Sequence, residues 1–182
     1  MKTGTKSLLF GVHQFLWHPF TVLLAWWKLY GRPSWKEAVC IFIHDWGYWG
    51  CETMDGRGAS FVSDMLEPGY SRHGFYHTIR GADIADALFG FKYRNLVLFH
   101  SRHFASEFGE APSKLCWADK YSMLYDPQWF YLFRARLSGE LKEYHQNAIK
   151  NGFIKPWESE KVWHYRVVKM LAKMSKREAG LV

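Results

Sequence analysis

Sustained alternation of apolar and polar residues is missing from this 182-residue chain, which argues against half-buried strands. Cysteine is scarce. There are three (Cys40, Cys51 and Cys116), an odd number with no C-x-x-C spacing, which excludes a disulfide framework or zinc knuckle and points to a reducing, cytoplasmic setting. No uninterrupted run of about 20 apolar residues occurs. The apolar-rich stretch from Leu8 to Tyr30 is broken by His13, Gln14, His18, Pro19 and Lys28, and it lacks the small-residue cleavage site of a signal peptide. Internal repeats, low-complexity tracts and Ser/Gly/Pro-rich linkers are also missing, so a soluble chain of one domain is expected, spanning residues 1–182.

Rings and positive charge are abundant. Aromatic residues make up 19% of the chain, with ten Trp and fourteen Phe, enough for a ring-rich core or pocket. The net charge of +7 favours anionic partners: phosphorylated small molecules, nucleic acid or an acidic membrane surface. Apolar residues recur at helical spacing, so an all-α chain is expected. Helices are predicted over about Ser7–Trp17, Pro19–Tyr30, Trp35–His44 (with Ser34 and Glu37 as a capping box), Arg72–Phe89, Tyr93–Phe104, Ser113–Leu124, Asp126–Lys150 and Trp157–Arg177. The glycine-rich stretch Gly47–Gly69 reads as a long loop with a short helix near Phe61–Leu66.

Metal-competent side chains fall at the ends or on single faces of these helices. His44-Asp45 closes the apolar run Val39, Ile41, Phe42, Ile43 and is followed by Gly47. His18 lies at the Pro19 junction, His73 and His77 share one helix face, His100 and His103 share another, and Asp119 ends an apolar run from Leu115. A carboxylate delivered to a core by such a run needs a cation to offset the cost of burial. Imidazole and carboxylate ligands together suit iron, manganese, zinc, cobalt or magnesium rather than a sulfur-rich structural zinc site.

The order His18 … His44-Asp45 … Asp119 resembles the H…HD…D signature of the HD-domain superfamily of metal-dependent phosphohydrolases. The segment His77-Thr78-Ile79-Arg80-Gly81-Ala82, with His100 following 23 residues after His77, is similar to the extra histidines of its dinuclear members, in particular the dinucleoside-tetraphosphate hydrolases. The likeness covers about residues 15–125. The chain departs from the pattern in carrying Tyr48-Trp49 where many such hydrolases have a lysine, and residues from about 126 to 182 form a helical extension outside the likeness.

The resemblance implies an HD-like helical bundle with two divalent ions, one on His18, His44, Asp45 and Asp119 and the other on His77 and His100, with Asp45 bridging. His77 and His100 are preferred over His73 and His103 for the Gly81-Ala82 context and the spacing. It further implies hydrolysis of a phosphate ester or phosphoanhydride of a nucleotide or other small phosphorylated molecule by a metal-activated water. Asp45, Arg80, His103 and Lys120 would be the catalytic side chains, with Arg102 and Lys114 as further cations for phosphate. Two alternatives stay open: a di-iron oxygenase on the same ligands, and a non-catalytic binding or adaptor protein using its C-terminal helices. No nucleic-acid or membrane partner is indicated, and homo-oligomer formation is left open. His13, His145 and His164 read as packing or surface residues, Cys51 and Cys116 as packing residues. Trp46 and Trp49 are the rings flanking the site, and Lys169, Lys173, Lys176 and Arg177 read as a solvated face.

Overall fold

The computed structural model describes residues 1–54 and 73–182. Among them are ten α-helices and no strand: α1 Thr3–Phe10, α2 Trp17–Tyr30, α3 Trp35–Ile43, α4 His77–Phe89, α5 Phe91–Leu98, α6 Arg102–Glu107, α7 Lys114–Ser122, α8 Gln128–Ser138, α9 Glu140–Lys150 and α10 Glu160–Glu178. The chain is an all-α helical bundle. The short helix expected near Phe61–Leu66, and most of the Gly47–Gly69 loop, lie outside the described residues. No helix among the described residues is long and apolar enough to cross a membrane.

Caps account for several boundaries. Ser34 accepts from the Glu37 N–H while Glu37 accepts from the Ser34 N–H, a complete capping box for α3. Ser113 accepts from the Cys116 N–H at the start of α7, and Ser159 from the Val162 N–H at the start of α10.

Three expected helices are divided or displaced, each for a local reason. The first ends at Phe10 instead of reaching Trp17, because the Val12 N–H is taken by the carboxylate of Glu140 at 2.6 Å. The Gln14 side chain then accepts from the N–H groups of Leu16 and Trp17, restarting the chain as α2 with Pro19 in its first turn. The helix expected to Phe104 stops at Leu98. Ser113 donates through its hydroxyl to the Leu96 carbonyl and through its N–H to that of Phe99, and Ser101 caps a new helix by accepting from the Phe104 N–H. The long helix expected to Lys150 is cut at Gly139, whose φ of 90° is left-handed and ends α8.

Packing follows the apolar stripes. Helices α4 and α5 pair through Gly90, α2 lies along α7, and α3 touches α2, α4 and α5. Their contacts form the larger core, which includes Val22, Trp26, Ile41, Ala82, Val97, Phe104 and Leu115. A second core gathers Val12, Tyr131, Leu132, Leu141, Ile154 and Trp163 from the N-terminal segment, the last three helices and the connection between α9 and α10. Helix α1 packs on α8, and α10 on α7, so the C-terminal extension meets both the chain's beginning and the ligand-bearing helices. Arg134 of α8 donates to the Gly11 and Val12 carbonyls and pairs with Asp126.

Candidate metal centre

Six side chains from separate elements converge. His18 stands in the first turn of α2, where its carbonyl accepts from the Thr21 hydroxyl. His44 is the residue after α3, and Asp45 (φ −95°, ψ 1°) opens the tight turn Trp46–Tyr48. His77 begins α4, His100 lies in the break between α5 and α6, and Asp119 is midway along α7. His44, Asp45, His77, His100 and Asp119 are all buried. Two glycines permit this convergence. A Cβ on Gly47 would stand 1.7 Å from the His77 carbonyl oxygen, and one on Gly81 would stand 2.6 Å from that of Ile43. The backbones carrying His44-Asp45 and His77 therefore touch, which is the physical reason for glycine in the His77–Ala82 segment.

Asp45 divides the histidines into two pairs. Its Oδ2 lies 3.1 Å from His18 Nε2 and 3.2 Å from His44 Nε2. Its Oδ1 lies 3.3 Å from His100 Nε2 and 3.8 Å from His77 Nε2. His18 Nε2 is also 3.2 Å from Asp119 Oδ1, and His77 Nε2 is 3.0 Å from His100 Nε2.

Three of the rings have a defined tautomer. The Nδ1 atoms of His44, His77 and His100 sit 2.6, 2.5 and 2.6 Å from the carbonyls of Ile41, Gly74 and Val97. A carbonyl only accepts, so each Nδ1 carries a proton and each ring turns its Nε2 inward. Burial holds the pKa of both His77 and His100 below the usual histidine value, which keeps them neutral. His18 differs. Burial opposes its charging, but Asp119 and Asp45 outweigh that and raise it to about 9. Burial opposes charge at the carboxylates as well, but His44, His13 and His18 hold Asp45 well below the carboxylate range, and Lys120 with His18 does so for Asp119.

The inward atoms lack compensation. His18 Nε2, His44 Nε2 and Asp45 Oδ2 are buried without an aligned hydrogen bond, although opposing atoms lie close. The lone pairs of the neutral His77 and His100 rings face each other and the Asp45 carboxylate, a repulsive arrangement unless a cation stands among them. Ligand atoms of His18, His44 and Asp119 lie within 4.8 Å of one another, as do those of His44, Asp45 and His100. These buried groups can hold a metal ion, and the backbone carbonyls behind three of the histidines are the outer supports such ligands use.

The remaining candidates separate by position. Lys120 Nζ donates to Asp119 Oδ2 at 2.7 Å, and with Arg102 and His103 it lines the cavity above the cluster. His103 is exposed and takes no place among the inward nitrogens. Arg80 is exposed in a groove of its own beside Gly47, Tyr76 and Asp83, so it does not face the cluster. Lys114 is also outside, with its ammonium 5.4 Å from the Tyr30 ring centre. His73 stays out of the cluster and is paired through its backbone with Thr53. Trp46 and Trp49 are exposed and do not line the cavity. His145 is half-buried with Nε2 3.2 Å from the Glu158 carbonyl, and His164 is buried; neither lines the cavity. Cys40, Cys51 and Cys116 are packed in the interior without a disulfide, and the Cys51 thiol donates to the Gly47 carbonyl.

Two further residues join the site. Tyr48 lies flat on the His77 ring, centres 4.1 Å apart and planes within 5°, fixing the face of that imidazole. His13 lines the cavity with its ring centre 5.4 Å from that of His18 and its Nδ1 3.4 Å from a carboxylate oxygen of Glu140. No local sequence signal could link His13 to a glutamate so far along the chain.

The cavity encloses about 290 Å³. Its inner end is the His/Asp cluster. Its outer wall comes from Val12 and the last three helices, including Tyr131, Tyr144, Trp163, Val167 and Leu171. Comparison with family models, curated proteins and solved structures finds no match.

Proposed function

We propose that this protein is a metal-dependent phosphohydrolase of the HD type that releases phosphate from a small phosphorylated molecule. The observation carrying this reading is the division of Asp45, one carboxylate oxygen toward His18 and His44 and the other toward His77 and His100. That is the arrangement expected of a bridging ligand between two divalent ions, with Asp119 completing the first set. When bound, such ions make a water acidic near neutral pH and neutralise charge on phosphoryl oxygens.

The chain's own groups then divide the work. Lys120 holds one oxygen of Asp119 and leaves the other to face His18. Arg102 and His103 line the cavity beside the cluster, where cationic or donor groups orient phosphoryl oxygens. The carbonyls of Ile41, Gly74 and Val97 engage the Nδ1 atoms and so turn the Nε2 atoms inward, ready to ligate.

Metal analysis of the purified protein, followed by a phosphate-release screen over nucleotides and sugar phosphates, tests the reading. Asp45→Ala and His44→Ala should lose metal and activity with helical content retained. Activity that persists in either metal-free variant, or turnover that requires oxygen, overturns it.

A further inference from the structure

The cavity has two chemically different ends, and they come from different parts of the chain. The inner end offers the His/Asp cluster with Lys120, Arg102 and His103. The outer end offers Val12, Tyr131, Tyr144, Trp163, Val167 and Leu171, all but the first from the C-terminal extension. Three of these are rings set against one another: Tyr131 and Tyr144 have their centres 6.4 and 6.3 Å from that of Trp163. Among the described residues, the polar groups lining the cavity away from the cluster are Asn147, the tyrosine hydroxyls, and His13, Ser122 and Asp126, the last three already engaged by Ser7, the Asp119 carbonyl and Arg134.

Size and polarity both restrict the occupant. A volume of about 290 Å³ lies at the low end of the range for cavities that take drug-sized ligands, roughly 300–1,000 Å³. It has room for a phosphoryl group and one compact substituent, not for two nucleosides joined by a polyphosphate. A sugar or polyol pressed on this wall would leave hydroxyls without partners, at a cost no apolar contact recovers.

Building on the phosphohydrolase reading, we propose that the substrate is the phosphate monoester of a compact apolar alcohol, aryl or short-chain alkyl, with its phosphoryl group at the His/Asp cluster and its apolar group on the Tyr131–Trp163–Leu171 wall. The extension is thus the specificity element. Hydrolysis breaks the bond between phosphorus and the ester oxygen, water supplies the new oxygen on phosphorus, and the alcohol leaves with the second proton of that water.

The test separates binding from catalysis. Metal-loaded full-length protein is titrated calorimetrically under nitrogen with phenylphosphonate and with methylphosphonate, neither of which has a cleavable ester. Phenylphosphonate should bind about tenfold tighter or more. Val167→Asn, at a half-buried position, should reduce that preference to within about threefold while methylphosphonate binding is unchanged. Trp163→Ala should do the same if its helical content and metal content match the wild type. Equal affinity for the two phosphonates, or a preference untouched by Val167→Asn, overturns the proposal. In parallel, kcat/KM for phosphate release from phenyl phosphate should exceed that for phosphate release from glycerol 1-phosphate, and that for mononucleotide release from diadenosine tetraphosphate, by about tenfold; the reverse order also overturns it. A phenylphosphonate preference with no phosphate released from any ester supports the cavity assignment and overturns the phosphohydrolase reading instead.

Discussion

His77 and His100 bring their Nε2 atoms to 3.0 Å of one another while each Nδ1 is held by a backbone carbonyl. Neither ring has a proton to offer the other, since both are neutral and both protons point outward. Two lone pairs at that distance repel, and the nearest other group, Asp45 Oδ1, is an acceptor as well. A cation resolves all three at once.

His100→Ala should therefore lower metal content to about half that of the wild type, because the set on the other oxygen of Asp45 survives. Asp45→Ala should bring it near zero, because both sets share that residue. Mass-spectrometric metal analysis at equal helical content separates the two outcomes, and equal losses in both variants would contradict a divided site.

Lys120 acts on the site through Asp119. Lys120→Met leaves one oxygen of a buried carboxylate unpaired and free to rotate, so metal affinity or kcat should fall by about 10–100-fold, the usual scale for losing such a support. Lys120→Arg should recover part of the loss. Competition titration with a chelator reads the affinity and steady-state kinetics read kcat.

The contact between Gly81 and the Ile43 and His44 carbonyls admits no added methyl group without a backbone shift. Gly81→Ala should cost about 1–3 kcal/mol, a fall of about 2–12 °C in Tm, and should weaken metal binding because the shift moves His77 relative to Asp45. An Ala85→Gly control on the same helix should lose stability with metal affinity kept.

How much of this is legible in the chain depends on the range of the signal. Ser34, Ser113 and Gly90 mark helix ends through bonds within a few residues, and the expectations they support agree with the structure. The breaks at Phe10 and Leu98 are imposed from a distance, by Glu140 on Val12 and by Ser113 on Leu96 and Phe99, so local periodicity runs through them. Gly139 is a visible signal, outweighed by the apolar residues on either side of it. At the site, the order and spacing of His18, His44, Asp45, His77, His100 and Asp119 pick out residues that the structure brings together. Arg80 is close to His77 along the chain but on the outward side of α4, because proximity in sequence does not decide which way a helical side chain faces.

Glu140 is fully buried and accepts from the Ser7 and Ser138 hydroxyls and the Val12 N–H. Glu140→Ala leaves these donors without an acceptor and should destabilise the protein by about 3 kcal/mol or more. Thermal unfolding followed by circular dichroism measures it. Glu110→Ala serves as the control, an exposed acid whose loss should leave Tm nearly unchanged.

His164 gives a pH dependence with a definite sign. Burial pushes its pKa down to about 4 from the ordinary 6.5, and its Nε2 is buried without a partner. The unfolded chain takes up the proton first as pH falls, so the folded state loses stability from pH 6.5 down to about 4 and no further from this group below that. His164→Phe should flatten that part of the Tm-against-pH curve relative to the wild type.

The bonds from Ser7 and Val12 to Glu140 join positions 133 and 128 residues apart. During synthesis, at about 5–20 residues per second, the first helix must wait several seconds for the carboxylate that fixes it. Helix α1 is thus made before the ligand-bearing helices and locked in place after them, so the wall over the cluster closes only once the ligands beneath it exist.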